Sequence, residues 1–193
     1  MKLVGQGMIV RAALAAVLAL PSGWAAADEA LWSLLRGGGQ VVLVRHALTT
    51  PGVGDPEGMK LEDCASQRNL SEEGRKEAAA LGAALRARAV PVGAVVSSPW
   101  CRCLETARIA LGVEAGREAA LGNLFGRRDR EAQQVAQLRG IVARKPERGN
   151  AFFFTHGSTT LALTGVSPAT AEMVILTPQP GGAFKLAGRL AVR

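Results

Sequence analysis

The chain has 193 residues, of which 48% are hydrophobic and 20% are charged, and its 23 lysines and arginines outnumber its 16 aspartates and glutamates. That apolar fraction is enough for a hydrophobic core, so a largely disordered chain is excluded, and no periodic Gly/Pro pattern supports a fibrous protein. The basic residues are scattered without interleaved aromatic residues, so we expect no nucleic-acid partner. The composition predicts one basic globular domain.

The first 27 residues have the pattern of a secretory signal peptide. Lys2 and Arg11 are basic, residues 12–20 form an apolar run that Pro21 ends, and residues 25–27 are three alanines. The apolar run is much shorter than the about 20 residues that span a bilayer, so we expect cleavage after Ala27 and no membrane insertion afterwards. Residues 28–193 are then a single exported domain, in the periplasm or secreted.

The first half of that domain predicts two helices, one buried strand and a long loop. Residues 28–36 read as a short helix, and the apolar run 41–44 suits a strand buried on both faces. Residues 47–69 are rich in Gly and Pro and form an irregular loop. Ser71 caps a helix predicted over residues 71–89.

The second half continues the alternation of strands and helices. Residues 92–96 predict a second strand, and Ser98 as N-cap with Pro99 as the first helical residue predicts a helix over 99–110. Further helices are predicted over 131–144 and 158–163, and further strands over 151–155, 172–177 and 183–192. This order predicts a three-layer α/β/α sandwich with a mostly parallel central sheet.

The chain has two histidines, and each directly follows a predicted strand. His46 follows the strand 41–44 with Arg45 before it, and His156 follows the strand 151–155. Ligands of open α/β sheets bind beyond the carboxyl ends of the strands, so both imidazoles are expected at one crevice.

Basic residues next to these histidines predict a phosphate site. Arg45 and Arg102 can each offer a bidentate guanidinium to phosphate oxygens, and the start of the helix that carries Arg102 favours an anion. One neutral imidazole can attack phosphorus while the other donates a hydrogen bond to the transferring group. The sequence therefore favours phosphoryl transfer.

Three cysteines in an exported protein predict one disulfide and one free thiol. Cys101 and Cys103 are too close in sequence to pair easily, so Cys64 pairs with one of them. We assign Cys64–Cys101, while Cys64–Cys103 stays open because residues two apart on a helix point to different sides. Cys-x-Cys without a second cysteine pair does not predict a metal site.

Four segments of the chain resemble the histidine phosphatase superfamily: LVRHA at 43–47, NLSEEGRKEAAALG at 69–82, SSPWCRCLETA at 97–107 and FTHG at 154–157. The resemblance implies a phosphoglycerate mutase-like fold in which His46 is the nucleophile. Arg45, Arg102 and His156 would complete the phosphate pocket, with no metal or organic cofactor. The short chain is similar to phosphatase members without a large cap.

Two positions depart from the family pattern. Ala47 stands where many members have Gly. Asn123 stands in the segment where mutase-type members carry a proton-donating Glu, and Asn cannot act as a general acid. The general acid is therefore unassigned, with Asp55, Glu57 and Asp129 as candidates.

Arg68, just before the second long helix, is a further candidate for binding substrate phosphate. We expect an exported phosphatase that hydrolyses small phosphomonoesters through a phosphohistidine on His46. The alternative is a phospholigand-binding protein of the same fold that has lost turnover with its general acid.

Overall fold

The computed structural model describes residues 23–192, and for residues 23–27 it describes the backbone alone. Apart from that short stretch of backbone, the predicted signal peptide over residues 1–27 lies outside the described residues. The first helix, α1, spans Gly23–Arg36 and begins before the predicted start at Asp28. Residues 25–27 are alanines, the strongest helix formers, so the helix continues through them and contains the predicted cleavage point.

Four more helices and six strands follow. The helices are α2 (Glu72–Ala87), α3 (Cys101–Leu111), α4 (Arg128–Val142) and α5 (Gly157–Thr164). The strands are β1 (Val41–Arg45), β2 (Val92–Ser97), β3 (Gly116–Arg117), β4 (Asn150–Thr155), β5 (Met173–Gln179) and β6 (Ala183–Leu190). None of the helices in residues 23–192 is both long and apolar enough to cross a membrane.

The six strands form one sheet in the order β3-β2-β4-β1-β5-β6. Strands β3, β2, β4 and β1 run parallel to one another, whereas β5 and β6 form an antiparallel hairpin at the β1 edge. The predicted α/β sandwich with a mostly parallel sheet is confirmed. The two-residue strand β3 was not predicted, because two residues show no hydrophobic period.

Alternate side chains of the buried strands pack into two cores, one on each face of the sheet. Val42 and Phe152 point to the face covered by α1, α2 and α3. Val41 and Phe153 point to the face covered by α4 and α5. Burial on both faces explains why β1 and β4 read as uninterrupted apolar runs.

Helices α2 and α3 approach each other closely at Gly82. A Cβ atom on Gly82 would lie 2.0 Å from the carbonyl oxygen of Ala110. Any side chain at this position would therefore push the two helices apart. This contact holds α3, and the arginine near its start, against the rest of the domain.

The start of α3 differs from the prediction. The helix begins at Cys101, and its N-cap residue, Trp100, makes no side-chain cap. The Cys101 N–H donates instead to Gln67 Oε1 over 3.0 Å. Ser98 is wholly buried, and its hydroxyl lies 2.9 Å from His156 Nε2. The predicted N-cap was wrong because this serine is engaged by a residue distant in sequence.

Candidate active site

The sheet register places the two histidines side by side. Arg45 at the end of β1 pairs with Thr155 at the end of β4, so the next residues, His46 and His156, emerge together. The His46 backbone N–H donates to the Thr155 carbonyl over 2.9 Å, and the two ring centroids are 5.3 Å apart in an edge-to-face arrangement. The expected meeting of both imidazoles at the carboxyl edge of the sheet is therefore present.

His46 has one ring nitrogen engaged and one available. Its Nδ1 lies 2.9 Å from the carbonyl oxygen of Ala47, and because a carbonyl only accepts, Nδ1 carries the proton. Burial, helped by the positive charges of Arg102 and Arg45, lowers the pKa of His46 to about 3. The imidazole is therefore neutral at physiological pH, with the lone pair on Nε2.

His156 is buried between α3 and the loop that precedes it. Its Nε2 lies 2.9 Å from Ser98 Oγ and 3.6 Å from Cys103 Sγ, and its Nδ1 lies 3.4 Å from an Arg102 nitrogen. Burial lowers its pKa well below the usual histidine value, with further lowering from His46 and Arg102. Because a guanidinium only donates, Nδ1 accepts from Arg102, and the proton of a neutral His156 lies on Nε2, facing Ser98 Oγ.

Three arginines surround the histidines. Arg45 donates to the carbonyl oxygen of Pro168 over 2.8 Å, and Arg68 donates to that of Gly52 over 2.6 Å. Each of these two and Arg102 has a buried Nε without a hydrogen-bond partner among the described residues. Since buried N–H groups in proteins are nearly always partnered, three such donors around one site fit an anionic ligand.

Asp55 from the loop after β1 binds the third arginine. Both of its carboxylate oxygens accept from the Arg102 guanidinium, one of them over 3.1 Å, and the Trp100 indole N–H donates to it over 3.0 Å. Burial alone would raise the pKa of Asp55, but these donors and the charge of Arg102 lower it overall, so the carboxylate is ionised. Sequence reasoning named Asp55 only as a possible acid, because an irregular loop carries no signal of its partner.

These groups open into a cleft of about 430 Å³. Arg45, Arg68, Arg102, His46 and His156 all line it, as do the apolar side chains of Val53, Phe125 and Leu161. All five residues predicted from the sequence for phosphate chemistry are thus at one cleft.

The candidates for a general acid are elsewhere or engaged. Asn123 lines the cleft, but its side-chain oxygen accepts hydrogen bonds from Ser158 Oγ and the Phe125 backbone N–H. Glu57 and Asp129 are exposed and do not line the cleft. Of the three acids considered, only Asp55 contacts a residue that the sequence predicts to bind phosphate.

A disulfide connects the loop after β1 to the start of α3. Cys64 is bonded to Cys101 with a Cα–Cα distance of 5.7 Å, the pairing assigned from the sequence, while Cys103 is a free buried thiol. Burial raises the pKa of the Cys103 thiol to about 12, so it is not a nucleophile. The bridge fixes the loop beside Arg102.

In residues 23–192, no three His, Cys, Asp or Glu side chains are grouped so that they could hold a metal ion.

Several solved structures, phosphatases among them, have the same fold at low sequence identity. The protein histidine phosphatase SixA, complexed with tungstate, is 17% identical, with a TM-score of 0.58 over 79% of this chain and 96% of that chain. Rv3214 from Mycobacterium tuberculosis is 18% identical, with a TM-score of 0.58 over 80% of this chain and 98% of that one. Phosphoserine phosphatase from Entamoeba histolytica, in complex with 3-phosphoglyceric acid, is 14% identical, with a TM-score of 0.57 over 80% and 98%. A search of curated proteins gives no match.

The family itself is identified from the sequence. Residues 41–148 match the family model of the histidine phosphatase superfamily, branch 1. The matched segment runs from β1 to beyond α4 and contains Arg45, His46, Arg68 and Arg102, whereas His156 follows it. The chain therefore belongs to branch 1 of the histidine phosphatase superfamily.

Proposed function

We propose that this protein is a phosphatase that hydrolyses small phosphomonoesters through a phosphohistidine on His46. The observation that carries the proposal is the state of the His46 ring. Its Nδ1 is held by the Ala47 carbonyl, its pKa is lowered to about 3, and its free Nε2 belongs to a cleft with three arginines. A neutral imidazole beside a cationic anion site is suited to nucleophilic attack on phosphorus.

In the first step, the Nε2 lone pair of His46 attacks phosphorus and the bond from phosphorus to the ester oxygen breaks. The organic group leaves as an alkoxide or phenoxide, which takes a proton from solvent. The Nδ1–H bond to the Ala47 carbonyl keeps the ring oriented and stabilises the positive charge that the ring gains.

In the second step, water attacks phosphorus and the N–P bond breaks. The electron pair returns to His46 Nε2, the water loses a proton, and inorganic phosphate leaves. Water is the only other reactant, and neither step needs an oxidant or a reductant. The residues used in the first step return to their starting state.

The positive groups around the cleft stabilise the transferring phosphoryl group. Arg45, Arg68 and Arg102 supply charge-assisted hydrogen bonds to its non-bridging oxygens, and His156 holds Arg102 through Nδ1. The phosphate replaces Asp55 on Arg102, since both are anions that fit the same guanidinium edge. Because side chains provide both nucleophile and positive charge, we propose activity without a metal ion.

We also propose that the protein works outside the cytoplasm. The Cys64–Cys101 disulfide supports this location, since such bonds persist in oxidising compartments. The N-terminal pattern of a basic region, an apolar run and small residues supports it independently.

The test is hydrolysis of phenyl phosphate by the purified protein in the presence of EDTA. We expect turnover with EDTA present and its loss in His46→Ala, with folding of the variant checked by thermal unfolding. Turnover that EDTA abolishes, or that survives in His46→Ala, contradicts the proposal. Phosphate binding without hydrolysis of any phosphoester would instead identify a phospholigand-binding protein.

A further inference from the structure

The three most exposed large apolar side chains among residues 28–192 all line the cleft that holds His46. Val53 is 86% exposed, Phe125 59% and Leu161 47%. They come from three different elements, namely the loop after β1, the loop before α4, and α5. Single exposed apolar residues are ordinary, but three that converge on one cleft indicate a surface for an apolar ligand group.

The backbone around Val53 presents its side chain outward. Gly52 and Gly54 on either side have φ values of +137° and +72°, which favour glycine. A Cβ on Gly54 would lie 3.9 Å from the Phe125 ring, so the two loops meet here. Val53 and Phe125 therefore lie on adjoining loops of the same cleft.

The other two members of the patch have fixed positions. The Phe125 backbone N–H donates to Asn123 Oδ1 over 3.1 Å, and Ser158 at the start of α5 donates to the same oxygen over 2.8 Å. On α5, Leu163 and the two threonines before Leu161 are buried, so Leu161 faces the open side. The three apolar side chains thus line the same cleft as the arginines.

The cleft offers little help to a leaving group that needs a proton. No aspartate or glutamate is among its lining residues within the described chain. Asp55 does not line the cleft and is ionised in the free protein, so it brings no proton to the bound ester. A phenol, with a pKa of about 10, leaves as an anion far more readily than an alcohol, whose pKa is close to the roughly 15.7 of water.

We propose that the substrates are phosphate esters of phenols, whose aromatic ring lies on Val53, Phe125 and Leu161 while the phosphate binds the arginines. This inference rests on the proposed function, which it extends to a substrate class. Aromatic rings gain the most from such a patch, because they bury a large apolar area with little loss of conformational freedom. Sugar phosphates carry a hydroxyl on nearly every carbon, so they lack an apolar group that could bind this patch.

Binding is tested with two phosphonates that cannot be hydrolysed. Calorimetry should show phenylphosphonate binding about tenfold more tightly than methylphosphonate. In Phe125→Ser and in Leu161→Ser this ratio should fall towards one. The matched control is Val113→Ser, since Val113 is similarly exposed but lies away from the cleft, and it should leave the ratio unchanged.

Leaving-group preference is tested with phenyl phosphate and benzyl phosphate, which share an apolar ring but release a phenol and an alcohol. We expect kcat/KM for phenyl phosphate to be at least about a hundredfold higher, the range that general acid catalysis usually supplies. Benzyl phosphate should still inhibit phenyl phosphate hydrolysis, because the apolar patch accepts both rings.

Failure of the substrate class and failure of the proposed function give different results. Hydrolysis of phenyl, benzyl and glycerol phosphates at similar rates, or equal binding of the two phosphonates, overturns the substrate class and leaves the phosphatase intact. Preferential binding of phenylphosphonate without hydrolysis of any ester supports the aryl site but overturns the phosphatase.

Discussion

The carboxylate of Asp55 binds the guanidinium of Arg102 at both terminal nitrogens, Nη1 and Nη2. The Arg102 side chain is 1% exposed and that of Asp55 is 10% exposed, so the ion pair is largely removed from water. Trp100 adds a third hydrogen bond through its indole N–H. Asp55 therefore neutralises a buried charge, and under the proposed function it competes with phosphate for Arg102.

Replacement of this carboxylate should strengthen phosphate binding. In Asp55→Asn the amide is a weaker partner for Arg102, so we expect the dissociation constant of inorganic phosphate to fall about tenfold. Without phosphate the variant should be less stable, because Arg102 keeps an uncompensated buried charge. Calorimetry measures the first effect, and thermal unfolding with and without phosphate measures the second.

Asp129→Asn is the matched control, since the Asp129 side chain is 70% exposed and its ion-pair contact to Arg130 is 3.8 Å long. It should change neither quantity. Weaker phosphate binding in Asp55→Asn would show that the carboxylate assists the anion rather than competing with it.

Loss of the Cys64–Cys101 bridge should reduce both stability and substrate affinity. The bridge joins residues 37 apart in sequence. By constraining the unfolded chain, a bridge that closes a loop of this length stabilises the folded protein by roughly 3.5 to 4 kcal/mol. In the Cys64→Ser, Cys101→Ser double variant we expect a loss of that size in the free energy of unfolding, measured with denaturant. We also expect KM to rise more than kcat falls, because the loop carries Arg68.

Cys103→Ala is the control for this experiment, because Cys103 is not bridged. Dithiothreitol should still raise KM in that variant and should have no effect on the double variant. A KM of the wild type that is insensitive to reductant would show that the bridge does not position the loop.

Two helical glycines should respond in opposite directions to alanine. Gly82→Ala forces a Cβ against the Ala110 carbonyl, so we expect a loss of about 2 kcal/mol or more in the free energy of unfolding despite alanine's higher helix propensity. Gly140 in α4 has no atom within 4 Å of an added Cβ, so Gly140→Ala should stabilise by about 1 kcal/mol. Urea unfolding of both variants measures these changes. Stabilisation by Gly82→Ala would show that α2 and α3 do not pack as closely as the contact between Gly82 and Ala110 requires.

Acidification should destabilise the fold through His46. Its pKa is about 3 in the folded protein and about 6.5 in an unfolded chain. Between these pH values only the unfolded chain binds the proton, so the free energy of unfolding falls as the pH falls, by up to about 1.4 kcal/mol per pH unit. The contribution of His46 to stability is fully present above about pH 6.5 and is lost progressively as the pH falls to about 3. His156, whose pKa is also lowered in the folded protein, likewise destabilises the fold on acidification.

The direct measurement is the NMR titration of the His46 ring protons in the folded protein, which should not titrate between pH 7 and about 4.5. His46→Gln should show a shallower decline of stability over that range than the wild type. A His46 titration midpoint near 6.5 would contradict the buried neutral imidazole.

The parts of the site that belong to the sheet could be predicted from the sequence. The apolar runs before His46 and His156 identify two buried strands, and parallel strands bring their carboxyl ends to one edge. Arg102 follows from the same reasoning, because its helix starts at the end of another strand of that sheet.

The parts that depend on long-range contacts could not be predicted. Asp55 is in a loop without periodicity, and its partner is 47 residues away. Ser98 has the local pattern of a helix cap, yet its hydroxyl faces His156, 58 residues away. Periodicity and capping rules describe neighbours along the chain, so contacts of this kind appear only when the fold is known.

The state of His46 during turnover can be measured directly by rapid quenching. Protein mixed with phenyl phosphate and quenched in alkali, where phosphohistidine is preserved, should carry one phosphoryl group on the peptide that contains His46. His156→Ala retains His46 Nε2 and should still form this adduct, more slowly, whereas His46→Ala should form none. A phosphoryl group on another residue, or product release by the wild type and by His46→Ala at the same rate with no adduct, would show that His46 is not the nucleophile.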